Sequence, residues 1–340
     1  MKKLFAMAAV VAVALTSCVK NEIAEPAGNE IAFKNFALSE NTRADFETVA
    51  DNFECFAIYE GEDGTRRGFW KSGEKAETIK LEGTIWSNAD GTYYWPKDGN
   101  LDFYAWYSPN YSQVNGKIKC SVDEAIGMTI DKITIDEAQG LLVADPAKDY
   151  TKNDVPIIFR HTTSRLGFYF ANANATGHSS FKLTINSIEV AGVNKYASYA
   201  YNADKHEWTA TDPADKKFYT GNDVITTTKI ESNTAATAQL ELFPQDETVI
   251  TIKYTVVDNN GFEYTGTYVI DPADTNWTAP NENNWLANND YHYNISFNFK
   301  WVDKDGDGEK DPDEEDLEIH FKPTVEEWTV QTHTIYDERQ

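Results

Sequence analysis

Apolar and polar positions alternate with a period of two over much of the chain. The clearest run is residues 291–301 (YHYNISFNFKW), where Tyr291, Tyr293, Ile295, Phe297, Phe299 and Trp301 share one face. In residues 101–106 (LDFYAW), Leu101, Phe103 and Ala105 alternate with Asp102, Tyr104 and Trp106. Residues 31–38 (IAFKNFAL) are also strand-like, but their apolar parity changes between Phe33 and Phe36, which predicts a bulge or a strand buried on both faces. Further strands are predicted at 52–59, 79–81, 92–95 and 117–120. Past the polar stretch 148–154 (KDYTKND) they recur at 155–159, 165–170, 181–190, 237–243, 249–256, 263–270 and 328–336. The gaps are rich in Gly, Pro, Asn and Asp, the residues of turns. Many short strands without intervening helical periods predict an all-β chain of packed sheets, in two sandwich domains joined near residue 153.

Composition agrees. The chain has 340 residues, of which 41% are hydrophobic and 13% aromatic, enough apolar area to exclude a disordered chain. Thirty basic residues against 55 acidic ones give a net charge of -25, which repels phosphates and excludes a nucleic-acid partner. The same charge holds monomers apart at low salt, so any self-assembly is expected to need screening or a cation.

The first residues read as an export signal. Lys2 and Lys3 precede the twelve-residue apolar run 4–15 (LFAMAAVVAVAL), too short for a membrane-spanning helix, and the run ends in Thr16-Ser17-Cys18. This arrangement resembles the lipobox of bacterial lipoproteins, which makes residues 1–17 the signal peptide and Cys18 the lipidated, palmitate-bearing residue. Residues 19–30 then form a polar tether. In the oxidising compartment this implies, Cys55 and Cys120 are free to pair or to remain buried thiols.

Residues 303–314 (DKDGDGEKDPDE) carry the sharpest chemical pattern. Asp303, Asp305 and Asp307 occupy loop positions 1, 3 and 5, Gly308 position 6 and Glu314 position 12, satisfying the D-x-D-x-D-G-x5-E calcium loop. Glu309 would offer a backbone carbonyl and Asp311 a water-mediated contact. Strands rather than helices flank the loop, and Lys310 stands where an apolar residue is usual. The expected cofactor is a structural Ca2+, with no organic cofactor.

Arg43 lies in the polar break 39–44 (SENTRA), an exposed, trypsin-like cleavage point before Ala44. No G-x-S-x-G, H-E-x-x-H or Walker loop is present, and His161 and His320 fall in strand-like runs, so an enzyme is not expected.

The order of these pieces resembles the fimbrillin-like pilins and surface adhesins of type V pili. The resemblance rests on the lipobox, the T-R-A loop and Tyr93-Tyr94-Trp95-Pro96 followed by 101–107 (LDFYAWY). It rests also on 156–161 (PIIFRH) with Arg165-Leu166-Gly167-Phe168, and on Trp285, Asn289, Tyr291, Tyr293 and Ile295 near the end. It implies two tandem Greek-key, transthyretin-like β-sandwiches, at 44–153 and 154–340, after a lipidated tether and removable first strand at 18–43. It implies an outer-membrane lipoprotein at the cell surface, cut after Arg43 by an Arg-specific protease and incorporated into a fimbrium. Other pilin subunits would be its partners. A strand from a neighbouring subunit would replace 31–38, the donor here being Trp328, Val330, Thr332, Thr334 and Tyr336 on one face. The alternative is a glycan-binding surface lipoprotein of a polysaccharide-uptake system, with Tyr93, Tyr94, Trp95, Tyr104, Trp106 and Tyr107 as a stacking platform rather than core.

Overall fold

The computed structural model describes residues 30–38, 52–83, 85–122, 127–152, 155–175, 181–202, 205–230, 236–273, 284–301 and 317–329. In chain order the first strands are β1 (Phe33–Leu38), β2 (Asn52–Glu60), β3 (Arg66–Gly68), β4 (Glu77–Glu82), β5 (Ile85–Asn88) and β6 (Asn100–Tyr107). The one-turn helix α1 (Tyr111–Val114) leads to β7 (Ile118–Cys120) and β8 (Met128–Thr134), and α2 (Ile135–Ala138) to β9 (Leu142–Ala144), β10 (Ala147–Tyr150) and β11 (Val155–His161). The remainder is β12 (Ser164–Asn172), β13 (Phe181–Asn202), β14 (Lys205–Ile225), β15 (Ala238–Leu242), β16 (Gln245–Asp246) and β17 (Ile250–Asp258). It ends with β18 (Glu263–Ile270), β19 (Asn284–Trp285), β20 (Asn289–Trp301) and β21 (Leu317–Thr329). The protein is almost entirely β, as its alternation predicts.

The first sheet runs β10-β6-β9-β11-β1-β5-β4-β2-β3, and β6 also pairs with β2. That extra pairing closes β6, β9, β11, β1, β5, β4 and β2 into a ring. Closure is possible because the strands are short and twisted and because one face is uniformly apolar. Phe53, Cys55, Ala57, Leu101, Phe103, Ala105, Ile157 and Phe159 fill the interior. The turn into β6 depends on Gly99, at φ +71°, where a Cβ would lie 2.3 Å from the Glu60 carbonyl oxygen.

Strands β2 and β6 are buried on both sides. Phe56, Ile58, Tyr104 and Trp106 point away from the ring interior into a second core with Ile118, Met128, Ile130, Ile133, Ala197 and Tyr199. The outward covering comes from β7, β8 and the far half of β13. The near half of β13 belongs to a third core, where β18-β17-β13 faces the four-stranded sheet β15-β12-β20-β21. In it Phe168 and Tyr293 stack at 5.2 Å with 14° between planes. The hairpin β13–β14 thus contributes to both the second and the third core. Strand β11 pairs with β9 and β1 and so belongs to the first sheet.

Several local expectations change. Residues 92–95 provide one bridge, Tyr94 to Glu30, rather than a strand. The last described strand begins at Leu317, and positions past Thr329 lie outside the described residues.

Candidate assembly site

Strand β1 is a stave of the ring. It pairs in parallel with β11, matching Phe33 with Val155, Lys34 with Pro156, Phe36 with Ile157, Ala37 with Ile158 and Leu38 with Phe159. The register shifts between Lys34 and Phe36, the bulge that the parity change foretold. It places Phe36 and Leu38 at the register positions of the buried Ile157 and Phe159. On its other edge β1 is matched with β5 at a single position, Phe33 opposite Trp86.

The slot that receives β1 is aromatic. Phe33 is 2% exposed and meets Phe53 and Phe103 edge-on, at 5.9 Å and 5.3 Å. Phe53 in turn packs on Trp86 at 5.3 Å and Phe159 at 5.5 Å. Ile31 is equally buried, its N–H donating to the Tyr93 carbonyl at 2.8 Å, while the Val155 N–H donates to the Ala32 carbonyl at 3.2 Å. Burial of Phe33 and Ile31 contributes roughly 1.5–3 kcal/mol each, before ordering costs.

One polar network braces the neighbouring strand, and a second lies just past its end. Arg160 of β11 forms a bidentate pair with Asp145 (2.8 and 2.8–3.0 Å), and His206 Nε2 lies 2.9 Å from the same carboxylate. Tyr199 hydrogen-bonds His206 Nδ1, so the tip of the β13–β14 hairpin is tied to β11. Burial raises the Asp145 pKa, but the hydrogen bonds from His206 and Arg160 outweigh it and hold the carboxyl at about 2.

At the end of β11, His161 is buried, and desolvation, aided by the Arg165 charge, lowers it to about 3. The imidazole is neutral at any physiological pH, which suits a packed strand residue rather than a catalytic base. Beside it Arg165 pairs with Asp290, and His292 Nε2 lies 3.1 Å from the same carboxylate. Burial pushes Asp290 up, and the bonds from His292 and Arg165 bring it below the ordinary value. This network ties β12 to β20, where Arg165 and Asp290 are register partners.

Cys55 and Cys120 are unpaired, buried thiols. Cys55 points into the ring interior and Cys120 into the second core. Cys18, Arg43, Ala44 and the acidic positions Asp303, Asp305, Asp307, Glu309, Asp311 and Glu314 lie outside the described residues. Of the donor set, Trp328 lies in β21, matched with Asp290 of its own chain, and Val330, Thr332, Thr334 and Tyr336 lie outside. Among the six aromatics weighed as a platform, Trp95, Tyr104 and Trp106 are 1–2% exposed and belong to the cores. No helix among the described residues is long and apolar enough to cross a membrane.

A family model described as fimbrillin-like matches residues 42–328. The chain belongs to the fimbrillin-like family. This fimbrillin-like chain is similar in fold to a fimbrial protein from Bacteroides vulgatus (14% identity, covering 88% of this chain and 99% of that one, TM-score 0.54). Looser likenesses, each covering 89% of this chain and 98% of the other, are to putative cell adhesion proteins from Bacteroides ovatus (16% identity, TM-score 0.45) and Parabacteroides distasonis (13%, 0.46). No curated protein matches the chain by sequence. The family is one of structural fimbrial and adhesion proteins. The sequence did not reveal the slot partners Trp86 and Phe53 or the Asp145–Arg160–His206 tie. These residues come together only when the sheet closes, and nothing in their local spacing marks them.

Proposed function

We propose that this fimbrillin-like protein is a pilus subunit, in the stalk or at the tip, that polymerises by β-strand addition at the β1 slot and serves adhesion. In this reading Cys18 is lipidated and delivers the precursor to the outer membrane. An Arg-specific protease then cuts between Arg43 and Ala44. Release of 18–43 opens the ring between β5 and β11 and exposes the slot around Phe53, Phe103 and Trp86. A segment of a neighbouring subunit fills it, main-chain hydrogen bonds giving strength and alternate side chains giving register.

The observation that carries this reading is the position of β1: buried at Phe33, bonded along β11 and matched with β5 at one residue. The family match supports it further, since the matched span begins at Thr42, after β1. The donor is the C-terminal segment with Trp328, Val330, Thr332, Thr334 and Tyr336 on one face. Because Trp328 is paired with Asp290 in its own sheet, exchange either peels the end of β21 or begins at Val330. Calcium bound by Asp303, Asp305, Asp307, Glu309, Asp311 and Glu314 would stiffen the connection between β20 and β21.

Brief digestion of the purified precursor with trypsin tests the whole reading. Cleavage after Arg43 followed by ladders that resist SDS is the expected result. An Arg43→Ala precursor that forms the same ladders contradicts it.

A further inference from the structure

A cleft of about 360 Å³ opens where β2, β4 and the end of β6 meet, lined by Asn52, Glu54, Thr78, Trp106, Ser108 and Tyr111 among others. We propose that it binds a neutral pyranose sugar, independently of how the subunit assembles.

The wall is an aromatic stack. Tyr111, on the turn of α1, lies flat against Trp106, with centroids 5.6 Å apart and 8° between planes. Tyr111 is 43% exposed, so part of the residue beside this indole meets solvent. An exposed ring backed by a rigid one is a platform for the C–H face of a sugar, because a ring already fixed loses little freedom on binding. The Trp106 side chain is 1% exposed and its indole N–H has no acceptor among the described residues. A buried donor left in this way costs roughly 1–3 kcal/mol.

The opposite side is polar. Thr78 Oγ1 donates to one Glu54 oxygen at 2.8 Å, and among the described residues the other has no hydrogen-bond partner. Asn52 and Ser108 add further polar groups at the rim. The volume falls at the low end of the roughly 300–1,000 Å³ typical of small-molecule sites, room for one or two sugar rings. The chain carries a net charge of -25, so an anionic sugar is disfavoured. Glu54 is the one carboxylate among the lining residues, whereas glycosidic cleavage needs two facing the bond.

Saturation-transfer NMR on the full chain, with methyl α-glucopyranoside, methyl β-galactopyranoside and N-acetylglucosamine at about 10 mM, tests this directly. At least one of them should receive saturation. Tyr111→Ala should weaken that binding about tenfold or more, Tyr111→Trp should retain it, and Tyr264→Ala, at an exposed tyrosine on β18, should leave it unchanged. Absence of transfer to all three sugars, or binding equal in wild type and Tyr111→Ala, overturns the proposal.

Discussion

The ring of Phe33 meets that of Phe103 edge-on, with centroids 5.3 Å apart and 85° between planes. One residue lies on the stave that precedes the polar sequence 39–44 and the other on β6, a strand buried on both faces. Their contact joins the first strand of the chain to the middle of the ring core.

Phe33 should therefore be costly to truncate. Phe33→Ala is expected to destabilise the full chain by about 3–5 kcal/mol in urea denaturation, the range for a buried phenylalanine. Ile85→Ala, at a residue 47% exposed on the adjoining β5, should change stability by under about 0.5 kcal/mol. Comparable losses at both positions would mean that the slot is not where β1 gains its hold.

Stability should fall on acidification in two stages. His161 is held at about 3 in the fold, against 6.5 when unfolded. The unfolded chain therefore binds the extra proton, and stability drops as pH falls from about 6.5 toward 3, by up to ~1.4 kcal/mol per pH unit. Asp145 is held at about 2 against 3.8, so its contribution is present above 3.8 and lost as pH falls toward 2. Thermal melts between pH 7 and 2 should show both stages. His161→Gln should flatten the first and Asp145→Asn the second. A pH profile identical to wild type in both variants would refute this assignment.

The thiols should be silent until the fold opens. Burial raises Cys120 to about 12 and Cys55 well above the usual thiol range, so neither forms thiolate at neutral pH. In a Cys18→Ser chain, a thiol reagent should find no reactive group in the native state and two in denaturant. Reducing agent should leave the melting temperature unchanged. A melt that shifts under reduction would instead indicate a disulfide.

How much of this could be read from the chain varies with burial. In β20, Tyr291, Tyr293, Ile295, Phe297 and Phe299 face one core and polar residues intervene, so simple alternation finds it. The bulge in β1 was visible because two apolar faces broke step between Phe33 and Phe36. Strand β14 was hidden. Its residues 205–217 (KHEWTATDPADKK) are mostly polar and include Pro213, which an edge strand tolerates because one side makes no ladder bonds. It is held by backbone pairing to β13, which composition does not report. In β6 the alternation was read correctly, but both faces proved to be buried, one in the ring and one beneath β7 and β8. The Trp106–Tyr111 stack was equally silent, because the one-turn helix that presents Tyr111 is too short to leave a period.

The claim that β1 is a removable stave is tested most directly by hydrogen–deuterium exchange at the amides of Val155 and Ile157, where β11 is paired with β1 and not with β9. The account predicts protection in the precursor, loss of protection in the chain cleaved after Arg43 and freed of residues 1–43, and renewed protection once subunits have joined. Protection that persists in the cleaved monomer would show that β11 does not depend on β1, and the slot would not be the place where subunits meet.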